Sequence, residues 1–471
     1  MILRLVCCAA LVLVGGCATG TMRNHAEEST RFARETYRTD ASLLRDDDAR
    51  RKARDTAGAL LARGPLTQDD AVRVALLQSP AFQSMLAEST RDAAEAARAA
   101  LPANPVFTFE RLVRRKHGEV DLDIGRALSV TLLDWLTWPF KRGAGETQAQ
   151  RARLGAASAT VDTAVAARDA WVRAVAAQQA LGYFEQVMSA AEASAELAKR
   201  MFEAGNFSRL QRARQHAFYA DAAAQLTRAR QSSLAARENL RRVLGLDAGQ
   251  AAKLTLPDRL PDLPGEARAE PALSQAAIDQ RLDVQMARAE LAGVAKRLGV
   301  ETPASFINAF HVELARNSET GKSPQRGFAL ELALPVFDFG NAQRASGHAA
   351  YLAAFNRTAQ TAQEAASRVR EHYAAYRAAH DLALHYRLEV VPLRKTIADE
   401  TLLKYNGMLA GVFDLLAESR AQISSVIQAI DAERDFWLAD AALHATLLGR
   451  PASGVSLTAN AATGDNAAPA H

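Results

Sequence analysis

The segment 326–340, RGFALELALPVFDFG, constrains the fold of this chain more than any other stretch. Four large apolar side chains recur at every second position: Phe328, Leu330, Leu332 and Leu334. This period of two indicates a β-strand with one apolar face, and Pro335 ends the strand because proline cannot donate to the ladder. From Asn341 onward, about fifty residues have the pattern of a helix. A one-sided strand that leads directly into so long a helix is typical of a barrel wall with a helix below it.

An earlier alternating segment predicts a β-hairpin at residues 106–133. Val106–Val113 and Asp121–Leu133 alternate, and the charged segment Arg114–Glu119 between them is expected to be the turn. Arg126 is the one charge on the apolar face of the second strand, which places it at the level of lipid headgroups. Two tryptophans follow, where an aromatic girdle would lie.

Long helices follow both alternating segments. No proline occurs between Lys141 and Glu203, which predicts a helix of roughly 95 Å. The helix from Asn341 has apolar rows every seventh residue, and this period implies a left-handed supercoil. Pro392 is expected to bend or break that helix.

The two halves of the chain repeat each other at an offset of about 200 residues. Gln280–Gly299 matches Gln78–Ala97 in pattern, and Arg326 stands where Arg126 does. The order helix, hairpin, long helix, turn and returning helix is therefore predicted to occur twice.

The overall composition excludes several classes of function. A formal net charge of +4, from 57 basic and 53 acidic residues, is close to balanced, and no basic stripe interleaved with aromatics occurs, so we expect no nucleic-acid partner. The sequence has no Gly-rich phosphate loop, nucleophile elbow or paired carboxylates, which argues against an enzyme. The 10 histidines lack the spacing of a metal site. We therefore expect neither a metal nor a cofactor.

The N-terminus has the pattern of a signal peptide. Met1–Gly16 contains Arg4, the apolar run Leu5–Val14 and then small residues. The segment Val14–Cys17 resembles the lipobox of bacterial lipoproteins, in which the cysteine is lipidated, so Cys17 is the predicted lipidation site. The alternative is an ordinary secretory signal that happens to contain cysteines.

The number of strands predicts an oligomer. Each half supplies two strands, and four strands cannot close a membrane barrel, which needs about eight. Two copies would give eight strands and a filled interior, whereas three would give twelve and room for a lumen. The face opposite the apolar one carries small or polar residues, which favours three copies.

Several motifs resemble the TolC family of outer-membrane efflux proteins. These are Leu334–Gly340 after a strand, Leu101–Pro105 before the first hairpin, and the turn segments Met201–Arg214 and Lys404–Arg420. The resemblance covers about residues 67–449. It implies a fold that is mainly α with a β-hairpin pair, assembled as a homotrimer with a twelve-stranded outer-membrane barrel and a long α-helical barrel in the periplasm. The implied partners are a periplasmic adaptor (membrane fusion) protein, an inner-membrane pump and outer-membrane lipid.

This resemblance also sets the expected domains. They are a lipoprotein signal peptide (1–17), an N-terminal periplasmic segment (18–66), a first repeat (67–250, hairpin 106–133), a Pro-rich connector (251–270), a second repeat (271–449, hairpin 305–335) and a disordered tail (450–471).

Site residues are likewise carried over from the family. Asp414 matches an acidic position that rings the closed periplasmic aperture, and Tyr405 resembles a tyrosine that locks it; the alternatives are a helix cap for Asp414 and a packed core position for Tyr405. The matching acid position in the first copy is Gln211. Three further residues are the expected adaptor contacts: Ser208, Arg209 and Leu210. Ser208 would equally serve as a plain N-cap.

Three functions are compatible with this sequence. The first is a passive efflux duct gated at its periplasmic tip, and the second is a type I secretion conduit for an unfolded polypeptide. The third is a periplasmic coiled-coil scaffold without a pore, which the alternating strands and the signal peptide disfavour.

Overall fold

The computed structural model describes residues 27, 30–116, 119–271, 275–304, 310–332 and 339–450. Within them the chain is mainly helical and carries one four-stranded antiparallel sheet, which confirms the predicted fold class. Cys17 and the rest of the predicted signal peptide, together with residues 451–471 of the predicted tail, lie outside the described residues. No helix in the described part is long and apolar enough to cross a bilayer.

The helices and strands are as follows. The helices are α1 (30–37), α2 (Asp47–Leu61), α3 (Gln68–Gln78), α4 (Pro80–Ala99), α5 (Leu132–Glu203), α6 (Arg209–Leu244), α7 (Ala248–Lys253), α8 (Gln275–Asp279), α9 (Leu282–Ala304), α10 (Asn341–His385), α11 (Val391–Asn406) and α12 (Val412–Leu447). The strands are β1 (Val106–Lys116), β2 (Glu119–Thr131), β3 (Phe310–Glu319) and β4 (Gln325–Leu332).

The chain forms two compact units. Among the described residues, unit 1 comprises those up to Phe32, Ser84–Ser158 and Ile278–Glu364, and unit 2 comprises Ala33–Gln83, Ala159–Ala277 and those from Ala365 onward. The sheet belongs to unit 1 and the turns between the long helices belong to unit 2.

In unit 1 the turns of both hairpins, which the sequence predicts at Arg114–Glu119 and Asn317–Pro324, are shorter than predicted. β1 and β2 extend into the predicted turn, where Arg114 lies directly opposite Asp121, and opposite charges across a ladder stabilise pairing. β3 likewise continues to Glu319. Beyond it Thr320 is tied to β2, because its backbone N–H donates to the Leu122 carbonyl at 3.0 Å. Charged residues are typical of turns, but in these strands they are partners in the ladder.

The change from strand to helix occurs earlier than predicted. β2 ends at Thr131 and α5 begins at Leu132, so Trp135 and Trp138 lie in its first turns and not beside a strand. Pro139 lies inside the helix, and the two residues before it make side-chain hydrogen bonds. The Thr137 hydroxyl donates to the Leu133 carbonyl at 2.8 Å, and the Trp138 indole N–H donates to the Ala100 carbonyl at 3.0 Å.

The helices of unit 1 approach closely because of small residues. A Cβ on Gly145 of α5 would lie 2.6 Å from the Ala100 Cβ and 2.9 Å from the Ala96 carbonyl oxygen, so only glycine fits. The Ser89 hydroxyl donates to the Ala152 carbonyl at 2.7 Å and joins the same two helices, α4 and α5.

In unit 2 the predicted seam of α10 packs against α12. Tyr376 and Ala383, one heptad apart, are buried with Phe436 and Leu443. The helix is not broken at Pro392. A π-helical turn, Tyr386–Val390, precedes it and leads directly into α11, because widening the turn accommodates the proline.

Candidate functional site

The sheet has two chemically different faces. Residues directly opposite each other in a ladder share a face, so the register places most of the large apolar side chains of the four strands together; Val106 and Leu112 lie on the opposite face. One row of this face spans all four strands with apolar side chains alone: Phe107, Leu128, Leu314 and Phe328. Phe328 is 78% exposed and Leu314 is 59% exposed, so this apolar surface is uncovered in a single chain. An uncovered apolar patch of this kind marks an interaction with a membrane or a protein.

The opposite face is small and acidic. Its central row is Thr108, Ala127, Ala315 and Gly327. The flanking rows are rich in acidic residues, among them Glu110, Asp121, Asp123, Glu313, Glu319 and Glu331. This is the face that the sequence predicts to be directed into a lumen. Its small side chains would leave space beside the sheet, and its carboxylates would attract cations.

Both edges of the sheet are open. The strand order β1-β2-β3-β4 gives β1 and β4 one neighbour each. All residues of β4 are exposed. Unpaired N–H and C=O groups along such an edge pair readily with another strand. The sheet therefore has the chemistry of one segment of a larger sheet.

The predicted adaptor contacts lie at the turn between α5 and α6. Gly205 adopts a left-handed φ of 77°, and Ser208 forms a capping box with Gln211, in which its hydroxyl accepts the Gln211 N–H at 3.2 Å. Arg209 and Leu210 follow on the first turn of α6, both exposed. The N-cap role of Ser208 is thus present in the structure, and it leaves its two neighbours available for a partner.

The predicted gate residues lie at the turn between α11 and α12. The Asp414 carboxylate accepts the backbone N–H of Gly411 at 3.0 Å, so it bonds back to the start of α12. Tyr405, half-buried near the end of α11, accepts the Met408 N–H at its carbonyl. Met408 has a φ of 61° and is 95% exposed. Asp414 and Gln211 occupy matching places in the repeat and make the matching bond at each helix start.

Sequence reasoning missed the contacts that join these two turns. The Arg214 guanidinium of α6 lies 3.4 Å from the centroid of the Phe413 ring of α12, and a cation over an aromatic face is attracted to it. Further along, Arg420 pairs with Asp221 at 3.1 Å. These residues are about 200 positions apart, and only the internal repeat, which aligns α6 with α12, could have suggested their proximity.

Metal-binding groupings are absent from the part of the chain that the structure describes. Among those residues, no group of three or more His, Cys, Asp or Glu side chains is arranged to hold a metal ion.

Comparison with known proteins identifies the architecture. No family model matches the chain, and no curated protein matches its sequence. Solved structures do match: CusC has a TM-score of 0.70 at 13% identity and covers 81% of this chain and 92% of its own. The outer-membrane channel OprN has a TM-score of 0.67 at 18% identity and covers 87% and 95%. The Campylobacter jejuni CmeC outer membrane channel has a TM-score of 0.65 at 14% identity and covers 84% and 85%.

These likenesses define the class to which the fold belongs. It is the fold of TolC-like outer-membrane channels, and the resemblance drawn from sequence motifs is thereby confirmed at the level of the fold. In particular, this chain is similar to channels such as CusC, OprN and CmeC over more than four-fifths of its length.

Proposed function

We propose that this protein is the outer-membrane duct of a tripartite efflux system. In this proposal it is a passive channel for small molecules or ions, without catalytic activity, in the bacterial outer membrane. The two-faced sheet with open edges is the observation that carries the proposal. An exposed apolar face suits lipid, a small and acidic face suits an aqueous lumen, and open edges suit closure with other copies. The fold shared with known outer-membrane channels supports it.

Three copies would complete the barrel. Four strands per chain leave a trimer with twelve, wide enough for a lumen, whereas a dimer with eight would be filled by side chains. The partners are then a periplasmic adaptor protein, an inner-membrane pump and outer-membrane lipid, with lipidation of Cys17 as an additional anchor. Ser208, Arg209 and Leu210 would meet the adaptor, and Asp414 with Tyr405 would narrow the periplasmic tip.

The test is reconstitution of the purified full chain. The mass of the detergent-solubilised protein should correspond to three copies, and insertion into planar bilayers should give discrete conductance steps. A coiled-coil scaffold would instead be extracted without detergent and would conduct nothing. That result would overturn the proposal.

A secretion conduit would use the same fold, and only the transported cargo distinguishes it from an efflux duct. Deletion of the gene should sensitise cells to metals, dyes or antibiotics if the duct serves efflux. Loss of a secreted polypeptide with unchanged sensitivity to the panel would favour the secretion alternative.

A further inference from the structure

Three arginines form one continuous row across the apolar face of the sheet. Arg126 of β2 lies directly opposite Arg316 of β3, which lies directly opposite Arg326 of β4. Phe109 of β1 completes the row. All three arginine side chains are exposed.

Such a row is unfavourable in an isolated sheet. Like charges directly opposite each other destabilise strand pairing, and Arg316 has an arginine on both sides. Among the described residues, no carboxylate forms an ion pair with any of the three. An anion from outside the chain would relieve this repulsion.

The two faces separate charge by sign. Five arginines lie on the apolar face: Arg111, Arg115, Arg126, Arg316 and Arg326. Along the described strands that face carries no acidic residue, whereas the acidic residues named above lie on the other face. The apolar face therefore offers positive charge alone to whatever covers it.

The position of the arginine row relative to the apolar rows indicates which kind of anion would bind there. Three apolar rows, from Phe310 and Leu332 to Phe107 and Phe328, lie between the arginine row and the end of the sheet that leads into helices. On its other side the face of the first hairpin continues for three further rows, in which Arg111 and Arg115 accompany apolar residues such as Ile124, before its turn. Cationic side chains at the border of an apolar band reach the headgroup level of a bilayer, where the available anions are lipid phosphates. The guanidinium fork matches a phosphate with two parallel hydrogen bonds.

We propose that the row of Arg126, Arg316 and Arg326 is a binding site for the phosphate groups of anionic lipid in the leaflet next to the hairpin turns. The site rests on the proposed function, since it requires the apolar face to lie against lipid. In a trimer the rows would recur in each copy and form a cationic girdle. It would fix the depth of the barrel, and the bound phosphates would offset the repulsion between neighbouring arginines.

The experiment measures lipid binding to the detergent-solubilised full-length protein. Bound lipid is followed by native mass spectrometry during titration with lipid A, a bisphosphorylated glycolipid, and with its dephosphorylated form. The wild type should bind the phosphorylated form selectively. The triple variant R126Q/R316Q/R326Q should bind it about a hundredfold more weakly, since each cation near a membrane surface contributes about fivefold.

Two controls separate charge at this row from charge in general. Replacement of Arg98, Arg228 and Arg230, three exposed arginines on helices outside the sheet, by Gln should leave binding unchanged. Lysine at all three row positions should retain a large part of the affinity, because the charge is kept. Equal binding by the wild type and the triple Gln variant would overturn the proposal.

Competition by inorganic phosphate distinguishes a lipid site from a site for free anions. Displacement of lipid by an equal concentration of inorganic phosphate would overturn a lipid site in favour of a free-anion site. Should the triple variant fail to assemble, R316Q alone should weaken binding about fivefold. Conductance of the same preparations tests the proposed channel function independently. A wild type that forms channels but does not bind the phosphorylated lipid selectively would refute this site without refuting the channel function.

Discussion

Among single residues, Asp414 has two roles that its substitutions can separate. Its carboxylate accepts the Gly411 N–H at 3.0 Å. In the proposed trimer, three copies of Asp414 around the axis would also form a ring of negative charge that constricts the periplasmic tip. Asp414→Asn keeps an acceptor oxygen but removes the charge, so conductance through the trimer should rise with little change in stability. Asp414→Ala should raise conductance equally and also cost about 1 kcal/mol at the helix start.

The first copy supplies the control for this residue. Gln211 makes the matching bond, accepting the Ser208 N–H at 2.7 Å, and carries no charge. Gln211→Ala should therefore lower the unfolding midpoint without altering single-channel current. An unchanged current in Asp414→Asn would leave Asp414 as a helix cap alone.

His444 of α12 should make stability depend on pH. Burial, assisted by Arg168 and Arg268, lowers its pKa to about 4. The unfolded chain binds a proton at this histidine near pH 6.5 and the folded chain does not, so acidification from pH 6.5 to 4 destabilises the fold by roughly 2 kcal/mol. The urea midpoint of His444→Gln should fall less over this range than that of the wild type.

A second buried group of unit 2 acts in the opposite direction. Burial raises the pKa of Asp169 to about 6, against the influence of Arg173. Its protonation therefore favours the fold as the pH falls from about 6 towards 3.8. The difference between wild type and His444→Gln isolates the histidine, because Asp169 is common to both. Identical pH profiles would refute the assignment.

Among the elements, the contact between α4 and α5 depends on one glycine. Gly145→Ala should destabilise unit 1 by about 1–3 kcal/mol, because its Cβ would collide with the Ala96 carbonyl oxygen of α4 and with the Ala100 side chain just beyond that helix. At Gly155, on the same helix, an added methyl group would have nothing within 4 Å. Gly155→Ala should thus stabilise the helix by up to about 1 kcal/mol. Thermal unfolding of both variants measures the contrast, and equal midpoints would contradict the packing.

The elements also show what could be predicted from the sequence. Periodicity finds the strands because each has one face on which most side chains are apolar, and it finds the long helices because proline and glycine are sparse there. It misjudges their ends. Arg114 and Glu319 look like turn residues in isolation, and only their ladder partners, Asp121 and Asp123, show that the strands continue.

The site could be predicted only in part for a related reason. Arg126 and Arg326 are recognisable in the sequence as matching charges at the two hairpins, but Arg316, which lies between them, falls where the sequence predicts a strand about to give way to a turn. Its place in the row depends on the pairing register of β3 with β2 and β4. The pairing of β3 with β2 brings together residues nearly 200 positions apart in the sequence. The same distance hides the contact between Arg214 and Phe413.

At the scale of the whole molecule, the acidic face of the sheet should make the channel favour cations. In the proposed trimer, carboxylates such as Asp123, Glu313 and Glu331 face the lumen from every copy, and a ring of acids raises the local concentration of cations. The reversal potential in a KCl gradient should therefore show a preference for K⁺. The variant D123N/E313Q/E331Q should move it towards zero.

The two faces of the sheet make this measurement specific. The R126Q/R316Q/R326Q variant changes three charges on the same strands but on the apolar face, so its reversal potential should equal that of the wild type. High salt should weaken the preference, since screening shortens the reach of each carboxylate. If the arginine variant shifted selectivity as much as the acid variant, the charges of both faces would act on the permeating ion, and the assignment of one face to lipid and the other to water would be wrong.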